Sequence, residues 1–236
     1  MKFLKLVRKM EKEIKKYIKL ISGLILCSFG IVSILNADLG LSPWDVLNQG
    51  INKQIGITLG QANIAVGLIV IFIGLYFKQP LGSGTILNVT FVGLFVDLFI
   101  YLDIIPWGDT YLKQALLFIE GIIIFSLGSY MYISTGCGCG PRDGLMVVFT
   151  KMTGFSLGRV RLCLELFALT VGYFLGGKVG IGTAAFSLTA GYIIQFFFFF
   201  FKEDVKKIEH RSVVAEIKML KNYFSNQSKK QQDKFI

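Results

Sequence analysis

Six apolar runs, at about 17–35, 59–77, 85–102, 111–133, 157–175 and 181–201, dominate the chain. Each has roughly the twenty residues needed to cross a hydrocarbon core as a helix. In lipid every backbone N–H and C=O must be satisfied inside its own segment, and unbroken apolar runs can do that only as helices. The ten-residue alternation of an outer-membrane barrel is not the pattern here. Composition agrees: 53% of the 236 residues are hydrophobic and 17% charged, against about 25% charged in a soluble domain. The expectation is an all-α integral membrane protein with six transmembrane helices.

Charge is segregated. Residues 1–20 hold seven Lys, one Arg and two Glu, and residues 202–236 hold eight Lys, one Arg and five acids, while 21–201 is neutral. Two basic tails around a neutral middle are a poor nucleic-acid footprint and a good flank for an anionic inner leaflet. Six spans place both termini on one side, predicted cytoplasmic. The 36–58 and 103–113 connections then face outward with slightly acidic sequences, and 134–156 faces inward with Arg142 and Lys151; Lys178 is the exception on the outer side. The first run reads as a signal anchor, because it is too long for a cleaved signal peptide and no A-x-A-like site follows it.

The chain also matches itself. A shift of 98 residues, with no gap, pairs Gly23 with Gly121, Gly30 with Gly128, Pro43 with Pro141, Asp45 with Asp143, Lys53 with Lys151, Leu59-Gly60 with Leu157-Gly158, Gly82 with Gly180 and Gly93 with Gly191. Apolar composition gives scattered matches, but not Pro, Asp, Lys and paired Gly in one register. Each copy carries three spans, an odd number, so the second copy enters the membrane from the opposite side. The predicted architecture is therefore two three-span inverted repeats, an arrangement common in secondary transporters. The segments are a basic amphipathic N-terminal stretch (1–16), repeat 1 (17–104), repeat 2 (111–202) and a basic cytoplasmic tail (203–236).

Between the first and second spans of each repeat lies a short capped helix, "SPWDVLNQG" from Ser42 and "GPRDGLMVV" from Gly140. Thirteen residues at 1.5 Å per residue reach only about 20 Å, too short to cross. Such a helix lies on the interface or dips in as a re-entrant half-helix, where its N-terminus offers free N–H groups and a positive dipole end. Candidate substrate or gate residues are Pro43, Trp44, Asp45, Asn48, Pro141, Arg142 and Asp143. Asp45 with Ser42 reads first as a helix cap, and the symmetric carboxylates second as pathway groups. Trp44 reads as an interface anchor. Arg142 reads as a contact for lipid phosphate or an anionic solute. Arg161 and Glu165, four residues apart within the fifth run, can pair and complete the candidates. Asp97 sits near the outer end of its span and reads as solvated at least as readily as a site, and the Phe run 196–201 reads as lipid-facing.

Nothing in the sequence implies a cofactor or a metal. The C-x-C at Cys137 and Cys139 lacks a second pair or a His cluster, and the only His is His210. No H-E-x-x-H, G-x-S-x-G or P-loop motif is present, which argues against an enzyme or an ATP-driven pump. Apolar residues at helical spacing in 1–18 and 205–224 read as basic amphipathic helices on the inner leaflet.

The boxes "LGLSPWDVLNQG", "TLGQANIAVGL", "GSGTILNVTFVGLFVD" and "GCGCGPRDGLMVV" together resemble the YczE/YitT-like bacterial multi-pass membrane proteins, closest to the YczE type, over nearly all of 17–201. The resemblance implies an integral protein of the bacterial plasma membrane and adds little on mechanism. The residues themselves point to a small-solute transporter working by alternating access. The second reading is a membrane scaffold or regulator that acts through partners and its tail. Expected partners are the lipid bilayer and a small-molecule solute, with no nucleic acid; a homo-oligomer is compatible with either reading.

Overall fold

The structure is a computed structural model that describes residues 2–138, 140–204, 208 and 211–213, with side chains from Met10 onward. The described residues form eight helices: α1 (Lys2–Ala37), α2 (Pro43–Ile55), α3 (Leu59–Tyr76), α4 (Ser83–Leu102), α5 (Tyr111–Ser134), α6 (Pro141–Thr153), α7 (Leu157–Phe174) and α8 (Ile181–Phe200). Five are long and apolar enough to cross a membrane: α1 from Met10, α3, α4, α5 and α8. The chain is thus an all-helical membrane protein. The fifth predicted run is helical as well, but Arg159, Arg161 and Glu165 make α7 the most charged of the long helices after α1. The basic N-terminal stretch is continuous with the first span as one helix.

Local signals explain the boundaries. Pro43 and Pro141 open α2 and α6 at a position where their missing N–H costs nothing. Gly56 and Gly154 close the same helices in the left-handed conformation, φ 73° and 71°, each donating back to a last-turn carbonyl. Thr58 and Gln61 form a capping box at the start of α3.

α1 and α5 cross antiparallel at the centre. Water drives apolar helices together in a soluble protein, but lipid tails are as apolar as the side chains, so association here depends on close packing. Two glycine pairs supply it. A Cβ on Gly30 would lie 2.6 Å from the carbonyl oxygen of Gly121, and one on Gly128 would lie 2.5 Å from that of Gly23. Leu20, Leu24, Ile31, Leu117, Phe118 and Ile122 bury themselves along this seam. α4 flanks α1 and α8 flanks α5.

The short helices are exchanged between the halves of the chain: α2 packs on α7, and α6 on α3. Gly50 meets Gly172 so closely that a Cβ would come within 2.7 Å of its carbonyl oxygen. The loops before the short helices make matching contacts. Gly182 N–H donates to Leu39 O at 2.8 Å, and Gly84 N–H donates to Cys137 O at 2.8 Å. Gly40 and Gly138 have φ of 114° and 141° and fit against Thr183 and Thr85, so the Gly-x-Gly-Thr turns act as docking sites for these loops.

Two ends of the bundle can be named by contacts. At the tail face, Lys19 Nζ bonds Glu203 Oε1 at 3.1 Å, and the backbone of Arg211 and Val213 bonds Gly136 O and Leu81 O. At the far face, the end of α2 bonds the end of α7: Lys53 Nζ to Gly176 O at 2.9 Å and Gln54 Nε2 to Leu175 O at 3.1 Å. There Lys178 also pairs with Asp38. The amphipathic helix expected at 205–224 lies outside the described residues apart from 208 and 211–213, as does Cys139.

Substituting Gly30 by Leu should lower stability by about 1–3 kcal/mol, because the α1–α5 backbones cannot separate without losing the whole seam. Gly158, whose Cβ direction meets nothing within 4 Å, is the control. Gly158→Ala should be neutral or stabilising by up to roughly 1 kcal/mol. Thermal unfolding of the detergent-solubilised protein measures both.

Candidate functional site

A cavity of about 760 Å³ occupies the middle of the bundle and runs toward the tail face. Its deep end is built by the starts of the two short helices: Ser42, Pro43 and Trp44 from α2, and Gly140, Pro141, Arg142 and Asp143 from α6. Its walls carry Asn63, Val66 and Gly67 of α3, Asn88 and Val92 of α4, Phe125 and Ser129 of α5, and Arg161 and Glu165 of α7. Its mouth carries Phe198, Phe199, Glu203 and Asp204. In α2 only the first two residues line it, so the far-face end is covered by the body of α2 seated on α7.

Two helices too short to span place their N-termini at this depth. Both point a positive dipole end toward the same space. Arg142 reaches across from α6, its guanidinium carbon 5.0 Å from the centre of the Trp44 ring. Its Nη2 also donates to Asn63 Oδ1 at 3.4 Å. A guanidinium over an indole face is held by the ring quadrupole, more strongly where water is scarce. Trp44 is therefore not an interface anchor, as its sequence position suggested, but the platform for this cation. Arg142 likewise faces the cavity and not lipid.

The two acids differ. Asp45 is buried and fully engaged: Ser42 Oγ donates to Oδ2, Asn48 Nδ2 donates to Oδ1 at 3.3 Å, and the Asp45 N–H donates to Ser42 Oγ at 3.2 Å. It is a helix cap with a hydrogen-bonded extension. Asn48 passes the network on, donating to Asn63 Oδ1 at 3.1 Å, so Asp45, Asn48, Asn63 and Arg142 form one chain of polar contacts. Asp143 lines the cavity itself. Its helix starts with Gly140 in place of a Ser. A Cβ there would sit 2.9 Å from the Tyr132 hydroxyl and 3.2 Å from Asp143 Oδ2. The Tyr132 side chain thus fills the space that the Ser42 side chain fills in α2.

Arg161 Nε donates to Glu165 Oε1 at 2.9 Å, the predicted pair, and both line the cavity from α7. Asn63, which joins the two short helices, was missed in the sequence. Its repeat mate is Arg161, and a polar residue at that shared position was the available signal. Asp97, near the outer end of its span, is half-buried. It accepts from Gly60 N–H at 2.8 Å and from Thr58 Oγ1, tying α4 to the start of α3. Phe198 is buried against Tyr130, ring centres 5.0 Å apart, so the Phe run is lipid-facing only in part.

Asp45→Ala should cost about 1–3 kcal/mol of stability, since it strands buried donors on Ser42 and Asn48. Glu165→Ala should cost at most about 1 kcal/mol, because its partner Arg161 is 49% exposed and can be solvated. Denaturant or thermal unfolding of the two variants side by side distinguishes the capping acid from the cavity acid.

Comparison with known proteins places this arrangement. Residues 14–198 match the model of a family of unknown function, DUF6198. The membrane protein YczE of Bacillus subtilis is 36% identical over 177 residues, covering 74% of this chain and 81% of that protein. A protein of Haemophilus influenzae is 34% identical over 178 residues, 75% of this chain and 81% of its own length. The YyaS protein of Bacillus subtilis is 26% identical over 185 residues, 77% and 92% of the two lengths. No solved structure matches. The resemblance carried by the Pro-Trp-Asp and Gly-Pro-Arg-Asp-Gly-Leu boxes therefore holds across most of the chain, which belongs to the DUF6198 family of YczE-like membrane proteins.

Proposed function

We propose that the protein carries a small solute across the bacterial plasma membrane by alternating access between two inverted repeats, with both termini in the cytoplasm. The observation that carries this reading is the cavity. It starts at two half-helix N-termini in mid-bundle, holds a stacked Arg–Trp pair, and opens toward one face while the other is covered. A packing defect would be apolar and closed. This space is polar at its deep end and open at the tail face.

In this reading α1–α4 and α5–α8 are the two repeats, and α7, the fifth helix of spanning length in chain order, crosses as well, which brings the spans to six. Its Arg161 and Glu165 are tolerated because they line the cavity instead of lipid. The solute is bound between Trp44, Asn63, Arg142 and Asp143. Support for the inverted arrangement comes from the contacts themselves. Gly23 on Gly128 and Gly30 on Gly121, Leu39 O with Gly182 and Cys137 O with Gly84, α2 on α7 and α6 on α3 are each exchanged by the 98-residue shift. A set of contacts that maps onto itself in this way is what a two-fold axis in the membrane plane requires. With the basic tails inside, the open face is cytoplasmic.

A ligand-stabilisation screen tests the reading. Detergent-solubilised protein is melted against amino acids, organic anions, nucleobases and metal ions. A true solute at 100 times its dissociation constant stabilises by about 2.7 kcal/mol. The shift should vanish in Arg142→Gln while the variant still unfolds cooperatively. No shift across the panel, with activity in cells lost on removing 203–236, would favour the scaffold reading.

A further inference from the structure

Within that reading, the two repeats are caught in different conformations, and the difference lies at one seam. In the first repeat α3 and α4 are zipped together. A Cβ on Gly60 would lie 2.0 Å from Gly93 O, and one on Gly93 would lie 2.5 Å from Gly60 O. Gly67 receives Val89, whose Cγ1 is 2.7 Å from the Cβ direction. Asp97 locks the end, bonded to Gly60 N–H at 2.8 Å and to Thr58 Oγ1. In the second repeat the corresponding helices, α7 and α8, stand apart. Gly158 faces nothing within 4 Å, and Gly191 has only Arg161 Nη1 at 3.9 Å. The cavity fills the space between them, bordered by Arg161, Leu164 and Glu165 on one side and Gly191, Ile194 and Gln195 on the other.

The open seam nevertheless keeps the two glycines of the closed one and a polar residue at each lock position. Gly158 and Gly191 stand where Gly60 and Gly93 stand in the first repeat. Gln195 takes the place of Asp97, and Ser156 that of Thr58. Ser156 caps α7 with no side-chain hydrogen bond, so the first-turn N–H groups of α7 have received no side-chain acceptor from their own cap. Glu165 and Ser187 stand where Gly67 and Val89 stand, which reverses the large and small members of the pair. Two open-standing glycines have no packing reason in this conformation. A glycine in a helix costs roughly 0.5–1 kcal/mol relative to Ala, and no close backbone contact offsets that cost here.

We propose that α7 and α8 are a gate that closes as α3 and α4 open. On closing, Gly158 meets Gly191 backbone to backbone, Gln195 accepts from the Gly158 N–H, and Ser156 bonds the Gln195 amide. The cavity then loses its opening at the tail face. In exchange, Asp97 releases Thr58 and Gly60, the α3–α4 seam parts, and the cavity opens at the far face. The cavity and its Arg142–Trp44 centre stay in place, and the access moves around them.

Paired cysteines in a background free of Cys27, Cys137, Cys139 and Cys163 test this without knowing the solute. Thr58→Cys with Asp97→Cys reports the α3–α4 seam, and Ser156→Cys with Gln195→Cys reports the α7–α8 seam. The reconstituted protein is oxidised and each link is read by mass spectrometry of its fragments. Both links are expected to form, but in a protein carrying all four cysteines no molecule should hold both. Gly191→Leu should leave the melting temperature unchanged and reduce the 156–195 link about tenfold or more, since the added side chain overpacks the closed seam. A 156–195 link that never forms, that survives Gly191→Leu, or that coexists with the 58–97 link overturns the proposal. A stabilising solute found together with such a failure keeps the transport reading and removes the exchange of seams. Exclusive links with no stabilising solute keep the gate and remove the transport reading.

Discussion

The antiparallel contact of α1 and α5 is the constraint on which the other helices are arranged. Two glycine pairs bring the backbones so close that neither helix can rotate or slide by a residue without a steric clash. In lipid this is an efficient way to hold two helices, because dispersion between well-fitted backbones replaces the missing hydrophobic drive. The crossing also fixes where the chain emerges. Each helix ends in a loop whose positive-φ glycine, Gly40 or Gly138, seats on the first turn of a helix in the other half. The short helices that follow can then only start in the interior.

Starting there has an electrostatic consequence. Two helix N-termini of the same sign face one space, and each carries its own acid in the first turn, Asp45 and Asp143. The acids offset the dipoles, and Asp45 goes further by satisfying Ser42 and Asn48. Positions 44 and 142, which the 98-residue shift pairs, carry Trp and Arg, and the two side chains meet between the helices as an attractive pair.

Much of this was legible in the sequence, for identifiable reasons. Span positions follow from hydropathy, and short-helix ends from Pro43, Pro141, Gly56 and Gly154, because backbone chemistry permits few alternatives at those residues. The Ser42–Asp45 cap and the Arg161–Glu165 pair are local, three and four residues apart, and the structure contains both. What Trp44, Asp97 and Phe198 touch is not legible in the sequence because their partners are remote: Arg142 on α6, the start of α3, and Tyr130 on α5. Hydropathy reports how far a residue sits along the membrane normal, and says nothing of which neighbour it faces. The exchange of α2 and α6 between halves was invisible for the same reason, since it adds no local pattern to either helix.

The seam between α3 and α4 and the seam between α7 and α8 share their glycines but not their locks, and the locks set which is shut. Asp97 is a carboxylate taking a backbone N–H and a hydroxyl at the positive end of α3. Charge-assisted bonds of this kind are about twice as strong as neutral ones, and the helix dipole adds to them. Gln195, the neutral counterpart, would offer α7 a bond without that charge. A charged lock on one seam and a neutral residue at the matching place on the other agree with the closed α3–α4 seam and open α7–α8 seam of the structure.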